Sequence, residues 1–290
     1  MKDCTANKTE YKYNNSTTHN KHIHTTKHDT SHSSLDKKCP GLRAVLEKYS
    51  TSEALPINMA VPLTQKRGGS NNQISQQIKC YQVNVKHSKA AKANSMQMIS
   101  TDKIAMALVQ EPYQYQGKLT GITKGYRIFV YGEGKRRAAI IIQDNAIDAL
   151  LITQLSVNDA VLLEINNQNL SFYASSVYFD YNEPIDNNIK TVERILKFTK
   201  GGKLLLAIDS NSRSTTWHDI KTNPRGKALE EFLTYNQLHI INEDSARATF
   251  QSNRGSSNID LTITNNHMLA AIKDWELLEE ESCLDHNIIK

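Results

Sequence analysis

Six stretches of the chain end or interrupt an apolar run with a group able to do chemistry. They are Asn84 after CYQV, Glu111 after ALVQ, Tyr178 after YASSV, Asp209 and Asn211 after LLLAI, Asp260 inside NIDLTI, and the pair Asp285–His286 ahead of NIIK. Carboxylates, amides and an imidazole gathered in one place can hold a hard cation and move protons. Each stretch alone has a plainer reading. Asp-x-Asn after a strand is a turn device, Glu111 before Pro112 is a solvated strand terminus, and Asp285–His286 is a surface pair. The ends of strands converge at one rim of a sheet sandwich, however, so all of these groups can line a single cleft.

The elements that must bring them together are legible from Ile78 onward. IKCYQVNV reads as a strand, SKAAKANSMQMIS as a helix and DKIAMALVQEP as a second strand. The runs RIFVY, RAAIIIQ, AVLLEIN and LSFYASSVYF are strand-like. A helix with apolar spacing over Ile185, Ile189, Val192, Ile195, Leu196 and Phe198 follows, then the strand KLLLAID. PRGKALEEFLTYNQ is a helix opened by Pro224, and LHIIN, ATFQSN, NIDLTIT and DWELLEE are short strands. Many strands with few helices predict a layered α/β sandwich in one domain, residues 79–290. Trp217 and Trp275 read as core residues.

Residues 1–78 differ in texture, being rich in Asn, Thr, Ser, Lys and His, and predict a disordered polar and basic leader. A short helix over PGLRAVLEKY is the exception. His19, His22, His24, His28 and His32 crowd one window of the leader, where no acid or thiol frame fixes a coordination geometry. All of the formal charge of +5 falls in residues 1–78, while residues 79–290 carry equal numbers of acids and bases. Any polyanion-binding face on the domain must therefore come from local clustering. Cys4, Cys39, Cys80 and Cys283 show neither zinc-site nor disulfide-framework spacing. No apolar run is long enough to cross a bilayer, and the N-terminus lacks a signal-peptide core, so an intracellular protein, nuclear or cytoplasmic, is expected.

In order, QVN (Gln82–Asn84), LVQEPY (Leu108–Tyr113), SVYFD (Ser176–Asp180), IDSN (Ile208–Asn211), TTW (Thr215–Trp217), PRGKALEEFL, INED, TF (Thr249–Phe250), SNIDLTI, DW (Asp274–Trp275) and LDHNII resemble a known family. It is the apurinic-type endonuclease domain, of the endonuclease/exonuclease/phosphatase superfamily, that opens the polymerase frame of non-LTR retrotransposons. The similarity is greatest to the insect clade that inserts into ribosomal or telomeric repeats, and it covers about Lys79–Lys290. The resemblance implies a four-layer α-β-β-α sandwich of the DNase I-like type. It implies Mg²⁺, with Mn²⁺ as a substitute, held by Glu111 with Asn84 and Asp285. Asp209 would deprotonate the attacking water, Asn211 would fix its geometry, Asp260 would hold His286 as an imidazolium donor to the phosphate, and Tyr178 would add a phenolic donor.

The implied product is a nick with a 3′-hydroxyl that primes reverse transcription, and the implied partner is DNA. Arg213, beside the catalytic loop, and Arg254, at a hairpin tip, are candidates to touch DNA. Lys135, Arg136 and Arg137 form either a second basic contact or a solvated strand edge. Element RNA bound by the leader and a reverse transcriptase domain in a longer polyprotein complete the expected partners. Two departures stand against the pattern: Leu284 occupies a position where the family has serine, and the chain ends at Lys290, which reads as a fragment or a decayed copy. Rival readings are a phosphomonoesterase or an abasic-site repair nuclease of the same fold, and an inactive truncated relic.

Overall fold

The aliphatic runs around MALV, AAIII and LLLAI form the inner strands of two sheets. The computed structural model describes residues 77–122, 124–168, 170–278 and 285–290. The expected leader, its histidine window and its short helix lie outside the described residues, apart from the last two positions before Lys79. In chain order come β1 (Cys80–Asn84), α1 (Lys89–Thr101), β2 (Met106–Gln110), β3 (Gln114–Tyr115), β4 (Lys118–Leu119), β5 (Arg127–Phe129), β6 (Ala138–Ile142), β7 (Asp148–Leu151), β8 (Ala160–Asn167) and β9 (Leu170–Tyr178). Then follow α2 (Ile185–Phe198), β10 (Leu204–Asp209), a 3₁₀ turn (Thr215–Trp217), α3 (Pro224–Tyr235), β11 (Leu238–Ile240), β12 (Phe250–Ser252), β13 (Gly255–Ser257), β14 (Asp260–Asn265) and α4 (Asn266–Leu269).

The first sheet has the order β1-β2-β6-β5 and the second β11-β14-β10-β9-β8-β7. Because side chains alternate along a strand, one set of residues from each sheet meets in the middle. Met106, Leu108, Ile140 and Ile142 pack there against Leu163, Ile165, Ala174, Leu205 and Ala207. The opposite face of the first sheet, through Tyr81, Val83, Val109 and Ile141, is covered by Ala91, Met96, Met98 and Ile99 of α1. The apolar faces of α2 and α3, with Ile189, Val192, Ile195, Leu229 and Phe232 buried, belong to the second sheet's side. The expected α-β-β-α layering is therefore the observed one.

Helix starts follow their local chemistry. Ser88 caps α1 by accepting from the Ala91 amide at 3.2 Å, and Asn223 caps α3 by accepting from the Gly226 amide at 2.7 Å, with Pro224 in the first turn. Of the expected strand DWELLEE, residues 276–278 run antiparallel to residues 288–290 through three backbone hydrogen bonds about the Leu277–Ile289 bridge, and Glu279 and Glu280 lie outside the described residues. The edge strand β7, the β3–β4 hairpin and the 3₁₀ turn were not anticipated, since two to four residues carry too little periodicity to register.

The last residues form a seam. Ile289 exchanges both backbone hydrogen bonds with Gln82, at 2.8 and 3.0 Å, and Lys290 exchanges both with Glu276, at 2.8 and 2.9 Å. On the same segment, Asn287 N donates to Thr249 O and Gln251 N donates to Asp285 O. Residues 285–290 thus touch both the β1 edge of the first sheet and the β12 hairpin beside the second.

Near one rim, the inter-sheet layer turns from apolar to polar. Gln110 Nε2 donates to Ser176 Oγ and to Ala207 O, both at 3.0 Å, and Ser176 Oγ donates to Val109 O at 2.9 Å. Gln82 accepts from Thr262 Oγ1 at 3.1 Å. These buried bonds lock the sheets in one relative position directly beneath the strand ends. Gln110→Ala leaves Ser176 without that amide donor, so it is expected to lower stability by roughly 1–3 kcal/mol, the cost of breaking buried hydrogen bonds. Urea denaturation measures it, and a change below 0.5 kcal/mol would contradict the locking role.

Candidate active site

Register brings the acids together. Asp209, the last residue of β10, pairs with Asp260 of β14 on one side and with Tyr178 of β9 on the other. Asp209 continues the inward row of Leu205 and Ala207, so its carboxylate points between the sheets. From the first sheet, Asn84 reaches across. Its Nδ2 donates to Asp209 Oδ2 at 2.7 Å and to Glu111 Oε2 at 3.2 Å. His286 completes the cluster through Nδ1 and Asp260 Oδ2 at 2.9 Å, and its ring packs edge-on against Phe250 with centroids 4.8 Å apart.

Asp209, Asn84, Asp260 and His286 are all buried. Burial pushes the Asp209 carboxyl up and the Asp260 carboxylate adds to the rise, while His286, Asn84 and the Asn211 amide pull it back, leaving it at about 7. At His286 burial favours the neutral ring, but Asp260, Asp209 and Glu111 outweigh it and raise the group to about 9. The ring is therefore an imidazolium at pH 7. Burial also opposes ionisation of Glu111, yet the His87 contact, the Asn84 amide and the charge of His286 hold it below the usual carboxylate range. The Tyr178 phenol is raised far above its ordinary value, first by burial and then by the Glu111 and Asp209 charges, so it stays a donor.

Two of these residues sit on left-handed backbone, Glu111 at φ 44° and Asn211 at φ 44°. For Glu111 that conformation is strained and must be held from outside. Its amide donates to Arg137 O at 2.9 Å and its carbonyl accepts from the His87 amide at 2.8 Å. Asn211 accepts at its carbonyl from Arg225 Nε at 3.2 Å, donates from Nδ2 to Phe179 O at 2.9 Å, and its amide donates to Asp209 Oδ1 at 3.2 Å. The turn bond expected of Asp-x-Asn is thus made, and it is made by the same carboxylate that faces the cleft.

Three arginines serve as clamps. Arg225 ties Asn211 to Glu183 O, Asp180 O and Asn188 Oδ1. Beside it, a Cβ at Gly226 would lie 1.9 Å from the Arg213 carbonyl oxygen, so the helix can approach the catalytic loop only with glycine there. Arg137 bridges Asp159 and Asp180 with its guanidinium 5.0 Å from the Tyr178 ring. Arg213, expected to touch DNA, instead gives Nε to Asp219 Oδ1 at 2.8 Å and Nη2 to Ser256 O at 3.0 Å. Arg136 is spent on the carbonyls of Gly132 and Gly117. The basic run 135–137 therefore leaves only Lys135 as an exposed cation, and Arg254 keeps its exposed place at the hairpin tip.

Two metal expectations meet a different geometry. Asn84 turns its amide nitrogen to the carboxylates, while its oxygen accepts from the Lys86 amide at 2.7 Å. Its amide nitrogen, and not its oxygen, faces Glu111 and Asp209 in this arrangement. The Asp285 carboxylate is paired with the Lys86 ammonium. Trp217 is core as expected, and Trp275 is half-buried with Nε1 donating to Thr262 Oγ1 at 3.1 Å. Sequence reasoning missed the contacts of Arg225, His87 and Lys86, and read Arg137 only as part of a basic run. Only the RG motif at Arg225–Gly226 gave a signal.

The donor set suits a divalent hard cation. Glu111, Asp209 and Asp260 bring three carboxylates against one imidazolium, and Asp260 Oδ1 is buried without a partner among the described residues. Ligand atoms of Asp209, Asp260 and His286 lie within 4.8 Å of one another. His286 Nδ1 is committed to Asp260, which leaves the carboxylates as the natural ligands.

Comparisons with known proteins find similar chains and folds. Residues 172–290 match the endonuclease-reverse transcriptase family model. The chain is 26% identical over 192 residues to a 115 kDa protein of the type-1 retrotransposable element R1DM of Drosophila melanogaster, covering 63% of this chain. It is 25% identical over 186 residues to the retrovirus-related Pol polyprotein of the type-1 element R1 of Bradysia coprophila, covering 60% of this chain. It spans 18% of the length of each of these curated relatives. Among solved structures, the endonuclease domain of TRAS1, a telomere-specific non-LTR retrotransposon, superposes with a TM-score of 0.66 at 29% identity, over 72% of this chain and 95% of that one. An AP endonuclease from Leishmania major shares the fold at 10% identity, with a TM-score of 0.60 over 86% of this chain and 97% of that one.

Two outcomes test the geometry. In metal-free protein the His286 ring, followed by ¹H–¹⁵N NMR, is expected to stay protonated until the pH climbs toward about 9. Loss of its proton below pH 7 would contradict the Asp260 pairing. Gly226→Ala is expected to destabilise the domain by roughly 1–3 kcal/mol, the cost of overpacking. Thermal unfolding reads this, and an unchanged midpoint would sink the close-approach argument.

Proposed function

We propose that residues 79–290, an endonuclease domain of the endonuclease/exonuclease/phosphatase superfamily of the kind carried by non-LTR retrotransposons, hydrolyse one phosphodiester bond in one strand of a target DNA. The cut leaves a 3′-hydroxyl that primes reverse transcription. The observation that carries the reading is the buried Asp209 carboxylate, held by Asn84 and Asn211 beside the Asp260–His286 pair.

In this reading Asp209, ionised, takes the proton of the attacking water. The water oxygen bonds to phosphorus as the P–O3′ bond breaks, giving a 5′-phosphate and an O3′ oxyanion that takes a proton from solvent water to become the 3′-hydroxyl. A carboxyl near 7 is well matched to a general base at neutral pH. The His286 imidazolium and the Tyr178 phenol are donors toward the phosphoryl oxygens as charge develops there. Asp260 fixes the His286 ring, and Arg225 and Asn211 fix the loop that carries Asp209. Mg²⁺, or Mn²⁺ in its place, bound through Glu111 and neighbouring carboxylate oxygen, would polarise the phosphate and offset charge on the leaving oxygen. The reverse transcriptase that would extend the hydroxyl belongs, in this proposal, to a longer polyprotein.

Purified full chain incubated with supercoiled plasmid and Mg²⁺ is expected to yield open circles, and EDTA is expected to abolish them. Asp209→Asn should lower the rate by roughly 10²–10⁴-fold, the range for loss of a general base. The wild-type rate should rise as the pH passes about 7, where Asp209 loses its proton, and fall above about 9, where His286 does. Nicking by Asp209→Asn at the wild-type rate would refute the assignment.

A further inference from the structure

On the Glu111 side of the cleft the β3–β4 hairpin and the loop before β6 are fastened to one another. Gln114 Nε2 donates to Arg136 O at 2.7 Å, Arg136 Nη1 to Gly117 O at 2.7 Å and Arg136 Nε to Gly132 O at 2.8 Å. Between these two walls and His87 lies an open groove of about 380 Å³, lined by His87, Gln114, Gly117, Gly134 and Lys135. Gly117 and Gly134 take left-handed φ of 71° and 68°, and a Cβ on either would meet nothing within 4 Å, so both face open space.

The lining defines the occupant. Apart from His87 no aromatic ring is present, so the groove lacks the stacking plates that hold a base. Of its side chains only Lys135 offers a free donor. Lys135 is exposed, and no partner holds its ammonium among the described residues. His87 donates from Nδ1 to Pro112 O at 3.1 Å, while its Nε2 stands 3.3 Å from Glu111 Oε1 with no aligned hydrogen bond. The imidazole thereby stands at the junction of the groove with the catalytic carboxylate. Arg136 and Arg137, which by charge alone are equal candidates, are consumed in building the wall and its footing. A rigid, mostly backbone wall with one unspent cation fits a phosphodiester, and the volume admits one sugar–phosphate unit.

Resting on the endonuclease reading, we propose that this groove is a second phosphate subsite, in which Lys135 receives a backbone phosphate adjacent to the scissile one on the strand being cut, with His87 forming the end of the groove against Glu111. The subsite would set the direction in which that strand leaves the catalytic cleft.

The test uses full chain and one DNA duplex, whose nick site is read in a parallel Mg²⁺ reaction and is replaced by the duplex centre as the starting point where no nick forms. Anisotropy in EDTA gives binding without cleavage. Lys135→Ala is expected to weaken binding several-fold and to reduce the slope of log affinity against log salt by about one, the signature of one lost phosphate contact. Single neutral methylphosphonates walked outward from the nick site should find one position that weakens wild type but leaves Lys135→Ala unaffected, and Lys135→Arg should restore the coupling. If every methylphosphonate affects wild type and Lys135→Ala alike, while wild type still nicks the unmodified duplex, the subsite is refuted and the endonuclease reading stands. Equal coupling on an RNA duplex would overturn its assignment to the cut DNA strand. Absence of nicking by wild type, with the binding coupling intact, would instead fail the endonuclease reading and keep the phosphate site.

Discussion

A carboxylate removed from water at the end of a strand, with a second carboxylate directly across the ladder, is the constraint to which the other parts of this domain answer. Asp209 and Asp260 are register partners on adjacent strands and both are buried. Left alone, such a pair would share a proton or push the strands apart. The Asn84 amide, the Asn211 backbone and the His286 imidazolium offset that repulsion, and each arrives from a different segment of the chain. The glutamine and serine bonds beneath them hold the two sheets at the separation this balance needs. Chemical competence and structural tension share one origin, as expected where a fold stores strain at its working end.

Positive charge in the domain follows a related economy. With equal numbers of acids and bases over residues 79–290, no bulk field draws in a polyanion. Most arginines near the cleft are turned inward as multi-donor connectors. Arg225 satisfies carbonyls on two loops, Arg213 joins the catalytic loop to the β12–β13 hairpin, and Arg137 props the face of Tyr178. The planar guanidinium suits such bridging, because its five donors have fixed directions. What remains for a nucleic acid is a small number of separate cations around the rim, an arrangement that favours geometric selection over general stickiness.

Much of this was legible in the sequence and some was not, for identifiable reasons. The chemical residues could be read because each breaks the alternation of a strand, putting a polar group where an aliphatic one is due. Asp209 after LLLAI is the clearest instance. A layered α/β sandwich followed from many strands with few helices, and the layer order from the family resemblance. The roles of the clamps could not be read, since their partners are backbone carbonyls that carry no sequence identity. Arg213 and Arg225 look alike in the sequence, and both are connectors for the same reason. The orientation of Asn84 was equally hidden, because the Lys86 amide that fixes it is a backbone group. Gly226 was visible as part of a motif, but its cause, the Arg213 carbonyl lying against the helix, is a tertiary contact. DWELLEE was legible as extended chain, but that residues 276–278 pair with residues 288–290 is a long-range choice of partner that strand composition does not specify.

The seam at residues 285–290 also bears on time. Gln82 finds its partner Ile289 more than two hundred positions later, and Asp260 finds its imidazole only when His286 is in place. A ribosome that has delivered the chain as far as β14 has released Asp209 and Asp260, while β1 still lacks its Ile289 partner and the two carboxylates lack the His286 imidazole. Contacts of such long sequence separation form late and carry the greatest loop-closure cost. The closing of the first strand's edge therefore coincides with completion of the Asp209–Asp260–His286 cluster.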